Sequence, residues 1–303
     1  MVKTLESMIN LVLFHSGKQL PIFLEYTFKQ IRVFNPDVMV YFLTDSRFLD
    51  DPLFDKYKIA AVDKDLFYSD KVKELELLYE RPPDDFWMLT TTRLVYIENF
   101  LKAHKLIDVY HFENDVLLYY NLQEHHEKFK AFYERLAITP GGPGTNMTGF
   151  LFIKNWNDIH TMVLFFIELI KIHGAKRLEK VYKMDVINEM VLMKLFEQAK
   201  GAAYMSYLPI IPFGEFSNNF TEFNSIFDPA SWGQFVGGTQ TVGPGAKPNM
   251  HYIGQLLINN PDYTVVWKKD EVGRKIPYFK YDNNEVKINN LHIHSKNLSK
   301  YMS

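Results

Sequence analysis

Four side chains, set far apart in the chain, are of the kinds that hold a divalent cation. Glu113 and Asp115 lie two residues apart in LIDVYHFENDVLLY (106–119), and His292 and His294 two apart in LHIHSK (291–296). Extended chain puts residues i and i+2 on one side, so each pair can face a single point. An acidic pair inside an otherwise apolar run is costly to bury unpaired, and Mg2+ and Mn2+ take carboxylate oxygens. The alternative is equally open at this level: the strand surfaces into a loop and both acids are solvated, while the histidines face water. Asp185 and Glu189 add a second acidic pair at i, i+4 on a helix expected over 184–198. They suit proton transfer from a hydroxyl, or a solvated face paired with nearby cations. Arg93 either caps a helix expected from 93 to 104 or reaches toward phosphate.

These residues need a scaffold. Leu11–His15 (LVLFH) reads as a buried strand, Leu20–Phe34 as an amphipathic helix ended by Asn35-Pro36, and Val38–Leu43 as a second buried strand. Such a β-α-β unit implies parallel strands, whose ligands sit beyond the carboxyl ends; His15, Ser16 and Asp45 fall there. A weaker strand follows at Lys58–Val62, and a charged stretch over 63–85 is expected to cover the rim. Thr90–Thr92 are read as the cap of the Arg93 helix, which feeds the strand bearing the acids. Beyond them come a helix over 125–136, the glycine-rich loop PGGPGTNMTG (140–149), a strand at Phe150–Ile153, a helix at Ile159–Ile172 and a strand at Tyr207–Ile211. A long Gly/Pro-rich stretch, 227–251, is of a length that is functional or disordered.

The chain of 303 residues is 47% hydrophobic and 23% charged, enough for a sizeable core. A net charge of −2 gives no sequence-independent hold on nucleic acid. The absence of cysteine excludes disulfides, thiolate zinc sites and thiol nucleophiles. Lys3 and Glu6 interrupt any signal peptide. The apolar run Met162–Ile172 contains Glu168 and Lys171 and falls short of the ~20 residues of a membrane span. The expectation is a soluble cytoplasmic protein with no integral membrane segment, any membrane association being peripheral.

The order of these features resembles the nucleotide-sugar glycosyltransferases of the GT-A fold. A β-α-β unit is followed by an Arg-bearing helix and a strand ending in Glu113-Asn114-Asp115, in the place of the family's Asp-x-Asp. Asn146-Met147-Thr148-Gly149 then enters a strand, a helix carries the second acidic pair, and a His-bearing segment closes the chain. Glu stands where the family has its first Asp. The His-x-x-Gly-x-x-Lys-Pro signature of the glycogenin-like branch is not seen, and GPGAKP (243–248) does not supply it.

The resemblance implies an α/β fold: a single GT-A-like (Rossmann-like) domain over 1–303 with a mostly parallel central sheet flanked by helices. Residues 1–120 would form the nucleotide-binding half, and 121–303 the acceptor-binding half with its C-terminal metal-ligand strand. The implied activity is metal-dependent transfer of a sugar from a nucleotide diphosphate sugar, UDP-linked by preference, to a hydroxyl of a glycan or glycoconjugate. Mn2+ or Mg2+ would be held by Asp115 with His292 or His294, and Glu113 would touch metal, ribose or water. His15, Ser16, Asp45 and Asn114 would line the nucleotide. Arg93 and Lys296 would balance the diphosphate, Asp185 or Glu189 would serve the acceptor, and the stretch 237–248 would close over both substrates. The rivals are a sugar-nucleotide nucleotidyltransferase, a non-catalytic carbohydrate-binding domain and a metal-dependent hydrolase. The first is disfavoured because FHSGK (14–18) has one glycine where a phosphate loop needs several.

Overall fold

The computed structural model describes residues 8–80, 85–141, 144–237 and 263–303. Its strands are β1 (Asn10–Phe14), β2 (Met39–Thr44), β3 (Ala60–Asp63), β4 (Ile107–Phe112), β5 (Val116–Leu118), β6 (Leu136–Pro140), β7 (Asn146–Asn155), β8 (Met205–Tyr207), β9 (Ser225–Ile226), β10 (Thr264–Lys269), β11 (Lys275–Tyr281), β12 (Asn284–Ile288) and β13 (Asn290–His292). Its helices are α1 (Leu24–Phe34), α2 (Pro52–Lys56), α3 (Asp70–Tyr79), α4 (Phe86–His104), α5 (Leu122–Phe132), α6 (Trp156–His173), α7 (Ala175–Tyr182), α8 (Glu189–Lys200), α9 (Phe220–Phe223) and α10 (Trp232–Gly237).

The architecture is α/β with a mostly parallel central sheet, as expected. Among the described residues that sheet has seven strands in the order β3-β2-β1-β4-β7-β6-β8. The first four run parallel; β7 is antiparallel to both β4 and β6, and β8 is parallel to β6. Strands buried on both faces read as continuous apolar runs. In β1, Val12 and Phe14 join the core under α3, α4, α6 and α8, while Leu11 and Leu13 join the core under α1 and α5. Among the described residues, no helix is long and apolar enough to cross a membrane.

Several element boundaries differ from the sequence reading, and side-chain caps account for most of them. α4 begins at Phe86, because Asp85 accepts bonds from the N–H groups of Trp87 and Met88, each at 3.1 Å. The hydroxyls of Thr90, Thr91 and Thr92 bond back to carbonyls within the helix instead of capping it. Arg93 therefore lies two turns inside α4 and not at its start. Similarly, Asn188 caps α8 by accepting from Val191 N–H at 3.2 Å. The helix begins at Glu189, and Asp185 sits on an exposed bend before it, so the two acids do not share a helical face. The segment 146–149 is strand, the first residues of β7, where loop was expected.

The C-terminal region has its own core. β13 pairs antiparallel with β5, and β10-β11-β12-β9 form a separate four-stranded sheet. Leu117, Tyr119, Leu291, Ile293, Trp232 and Phe279 are packed together there. The sequence reading had no elements over 263–288. The expected closing segment 237–248 lies, beyond Gly237, outside the described residues.

Candidate active site

The site forms where β4 gives way to β5. Glu113 and Asp115 flank a tight turn, in which Val116 N–H donates to Glu113 O at 3.0 Å, so the chain between them is bent and not extended. Asn114 pins the turn: its Nδ2 donates to Phe14 O at 2.9 Å, and Thr27 Oγ1 donates to its backbone carbonyl. The C-terminal strand then arrives alongside. His292 is the register partner of Val116, and Ile293 N–H donates to Asp115 O at 2.9 Å. This pairing sets His292 Nε2 3.1 Å from Asp115 Oδ2 and 3.3 Å from Glu113 Oε2. One ligand atom from each of Glu113, Asp115 and His292 lies within 4.8 Å of the other two.

Asp228, which pattern reading did not single out, and residues named above hold this cluster in place. Asp228 is fully buried and accepts four backbone bonds, from Ser231 and His292 N–H at 2.7 and 2.8 Å and from Trp232 and Gly233 N–H at 2.8 Å. It ties the start of α10 to the backbone of His292. Thr148 Oγ1 donates to Glu113 Oε1 at 2.6 Å, and Arg93 Nη2 donates to the same oxygen at 2.9 Å. Two glycines bracket His292: a Cβ on Gly149 would stand 2.7 Å from its Nδ1, and one on Gly233 2.1 Å from its carbonyl oxygen. An Asp a few residues ahead of a helix start is a readable capping signal; the glycine contacts leave no local trace.

The electrostatics follow from the burial. Desolvation pushes the Glu113 and Asp115 carboxyls up, but neighbouring cations outweigh it. Arg93 and His292 hold Glu113, and His292 and Lys296 hold Asp115, well below the usual carboxylate range. Burial would lower His292, yet the two carboxylates raise it to about 10. Lys296 Nζ contacts Asp115 Oδ2 directly. His294 lies with its ring 4.2 Å from that of His292 and faces Gln234; burial and the charge of His292 lower it to about 3. It stands beside the three-ligand cluster rather than in it.

Glu189 is the other acid brought to this place, from behind. It is 2% exposed, accepts from Thr90 Oγ1 at 2.5 Å, and lies 3.6 Å from Arg93 Nη2 and 3.5 Å from Thr148 Oγ1. Burial raises its carboxyl against the pull of Arg93. Arg93 is thus committed to Glu113 and Glu189, at 7% exposure, and does not point into open space. At the ends of β1 and β2, His15 Nε2 meets Gln19 O at 2.9 Å. Asp45 accepts from Gly17 N–H at 3.2 Å and pairs with Lys64 at 3.3 Å. Ser16 lies half-buried in the same loop. Lys64, which composition did not distinguish, is the buried cation of this corner.

The donor set suits a divalent cation. Two carboxylates and an imidazole nitrogen make an N/O set of the kind Mn2+ accepts and Mg2+, with its preference for oxygen, accepts less readily. Two positive groups, His292 and Lys296, converge on Asp115 Oδ2, which is where a cation's charge would be balanced.

No family model and no curated protein sequence matches the chain. Among solved structures, mouse xyloside xylosyltransferase 1 in its apo form aligns over 66% of this chain and 84% of its own, at 8% identity and a TM-score of 0.48. The glycosyltransferase GlyE of Streptococcus pneumoniae TIGR4 aligns over 66% of this chain but 45% of its own, at 17% identity and a TM-score of 0.44. The galactosyltransferase LgtC, in complex with donor and acceptor sugar analogs, aligns over 66% and 73%, at 13% identity and a TM-score of 0.36. These three structures are glycosyltransferases. At these identities and TM-scores the likeness carries no argument about activity, which rests on the geometry of the site.

Proposed function

We propose that the protein is a glycosyltransferase: it moves a sugar from a nucleotide diphosphate sugar, UDP-linked by preference, to a hydroxyl of a glycan or glycoconjugate. The observation that supports this reading is the convergence of Glu113, Asp115 and His292 at the carboxyl end of a parallel strand, next to the β1–β2 corner. Residues 1–120 would serve mainly the nucleotide and 121–303 mainly the acceptor, as halves of one unit.

Glu113, Asp115 and His292 would hold Mn2+ or Mg2+. When bound, the cation supplies Lewis-acid stabilisation of the departing diphosphate, an effect of several kcal/mol. The protein's own groups do the rest. Arg93 and Thr148 fix the Glu113 rotamer, and Asp228 fixes the backbone of His292. Lys296, on a flexible stem and partly exposed, can turn from Asp115 to a phosphate oxygen. The nucleotide would lie over His15, Ser16 and Asp45, with Asn114 locking the acidic turn to β1. Glu189 steadies Arg93; through Thr90 it is also the carboxylate that can receive the acceptor's proton. Asp185 lies on the exposed bend before the helix start, and its share in that role is what the Asp185→Asn variant reads.

The test is thermal unfolding with a panel of nucleotides, with and without Mn2+. UDP or a UDP-sugar with Mn2+ is expected to stabilise the protein by about 2.7 kcal/mol at a hundredfold excess over Kd. Stabilisation by nucleoside triphosphates alone would favour nucleotidyl transfer instead. Glu189→Gln is expected to cost more than about tenfold in transfer rate, or ~1.4 kcal/mol of barrier. Glutamine keeps the side chain's shape and its contact with Thr90, and unfolding curves check that the variant stays folded. Asp185→Asn should behave as wild type. If neither variant loses tenfold, neither carboxylate takes part in proton transfer.

A further inference from the structure

α4 carries a row of side chains that leads out of the site. Phe86, Thr90 and Arg93 stand at i, i+4 and i+7, on one stripe of the helix. Their burial is graded along it: Arg93 is 7% exposed and bonded to Glu113, Thr90 is half-buried and bonded to Glu189, and Phe86 is 65% exposed. A stripe facing the core would be buried throughout; this one runs from the buried cluster to the surface. Phe86 is outside the packed core. Trp87 packs against that core and meets the Phe86 ring edge-on, with centroids 4.9 Å apart at 72°. Trp87 thus props the phenyl ring, which is 65% exposed, and Asp85 anchors the backbone beneath it. Seven residues of helix span about 10 Å, the length of a disaccharide, between the guanidinium beside the acidic cluster and this ring.

We infer that Phe86, supported by Trp87, is the platform on which a pyranose ring of the acceptor lies, placing its hydroxyl near Thr90 and Glu189. Sugars offer one face of C–H groups, which an exposed aromatic ring removes from water while the hydroxyls stay solvated. The occupant is a glycan terminus. The inference rests on the sugar-transfer reading for its direction but is tested apart from it.

The experiment is saturation-transfer NMR on the whole protein with free α- and β-linked gluco-, galacto- and xylo-disaccharides, compared between wild type, Phe86→Ala and Phe86→Tyr. Being exposed, position 86 can be changed without a core penalty, and unfolding curves check this. Wild type and Phe86→Tyr are expected to transfer saturation to the pyranose C–H protons of at least one disaccharide, with about tenfold weaker binding in Phe86→Ala. UDP–Mn2+ stabilisation should be the same in all three. Equal sugar binding by wild type and Phe86→Ala, or no contact with any disaccharide by wild type, overturns the platform. A Phe86-dependent sugar contact without any nucleotide stabilisation keeps the platform and removes the transferase reading; the reverse pattern does the opposite.

Discussion

Replacing Asp115 with asparagine is expected to abolish Mn2+-dependent stabilisation by nucleotide and to lower sugar transfer by about a thousandfold, ~4 kcal/mol of barrier. The reason is its position. Asp115 is 4% exposed and faces both His292 and Lys296, so it is the most enclosed of the three ligands. Asparagine keeps the shape but removes the charge that those cations answer. Removing one partner of a buried ion pair costs about 3–5 kcal/mol when the other stays charged. Here the cost is relieved, because His292 can release its proton and Lys296 can turn to water. A folded protein with lost metal response is therefore the expected phenotype, and circular dichroism with the melting assay checks both halves. Unchanged sugar-nucleotide turnover would end the proposal.

The same network gives a pH dependence with a definite sign. His292 is raised from 6.5 to about 10. Its contribution to metal-free stability is fully present below about 6.5 and is lost as the pH rises toward 10. Asp115, depressed below 3.8, contributes above that value and loses its contribution only in strong acid. Wild type without metal should therefore weaken between pH 7 and 10 more than Asp115→Asn does. A flat difference across that range would mean that the imidazole is not charged.

Gly233→Ala is expected to destabilise the protein by about 3 kcal/mol, and Gly149→Ala to leave it folded but weaken Mn2+ binding by about 10–100-fold. The two glycines touch the same residue from opposite sides, yet different atoms of it. At Gly233 the new methyl would meet His292 O, C and N at 2.1, 2.5 and 2.7 Å. Those are backbone atoms held by Asp228 and by the β5 pairing, so α10 or β13 must give way. At Gly149 the clash is with the imidazole at 2.7 Å, and a ring can rotate off the acids. Gly144→Ala, which meets nothing within 4 Å, is the control. Equal stability of Gly233→Ala and Gly144→Ala would contradict the packing; Mn2+ affinity unaffected by Gly149→Ala would argue against His292 as a ligand.

The amino-acid sequence by itself determined the layered sheet. Runs such as LVLF and VMVYFL carry no polar residue because both faces of these strands are covered, and that requirement is local and visible. It also exposed Glu113 and Asp115, since charge inside an apolar run stands out. Helix starts were less legible, because Asp85 and the three threonines at 90–92 compete as caps and only one position can win. The partner of the acids was a matter for the tertiary structure. His292 and His294 have the same side-chain chemistry, and 177 residues separate Asp115 from His292. The antiparallel register of β13 on β5, the four bonds to Asp228 and the bare Cα of Gly149 select His292 and turn its Nε2 to the carboxylates. The same three-dimensional packing turned Arg93 inward to the acids and left Phe86 exposed at the helix start, a distinction that spacing along one helix cannot express.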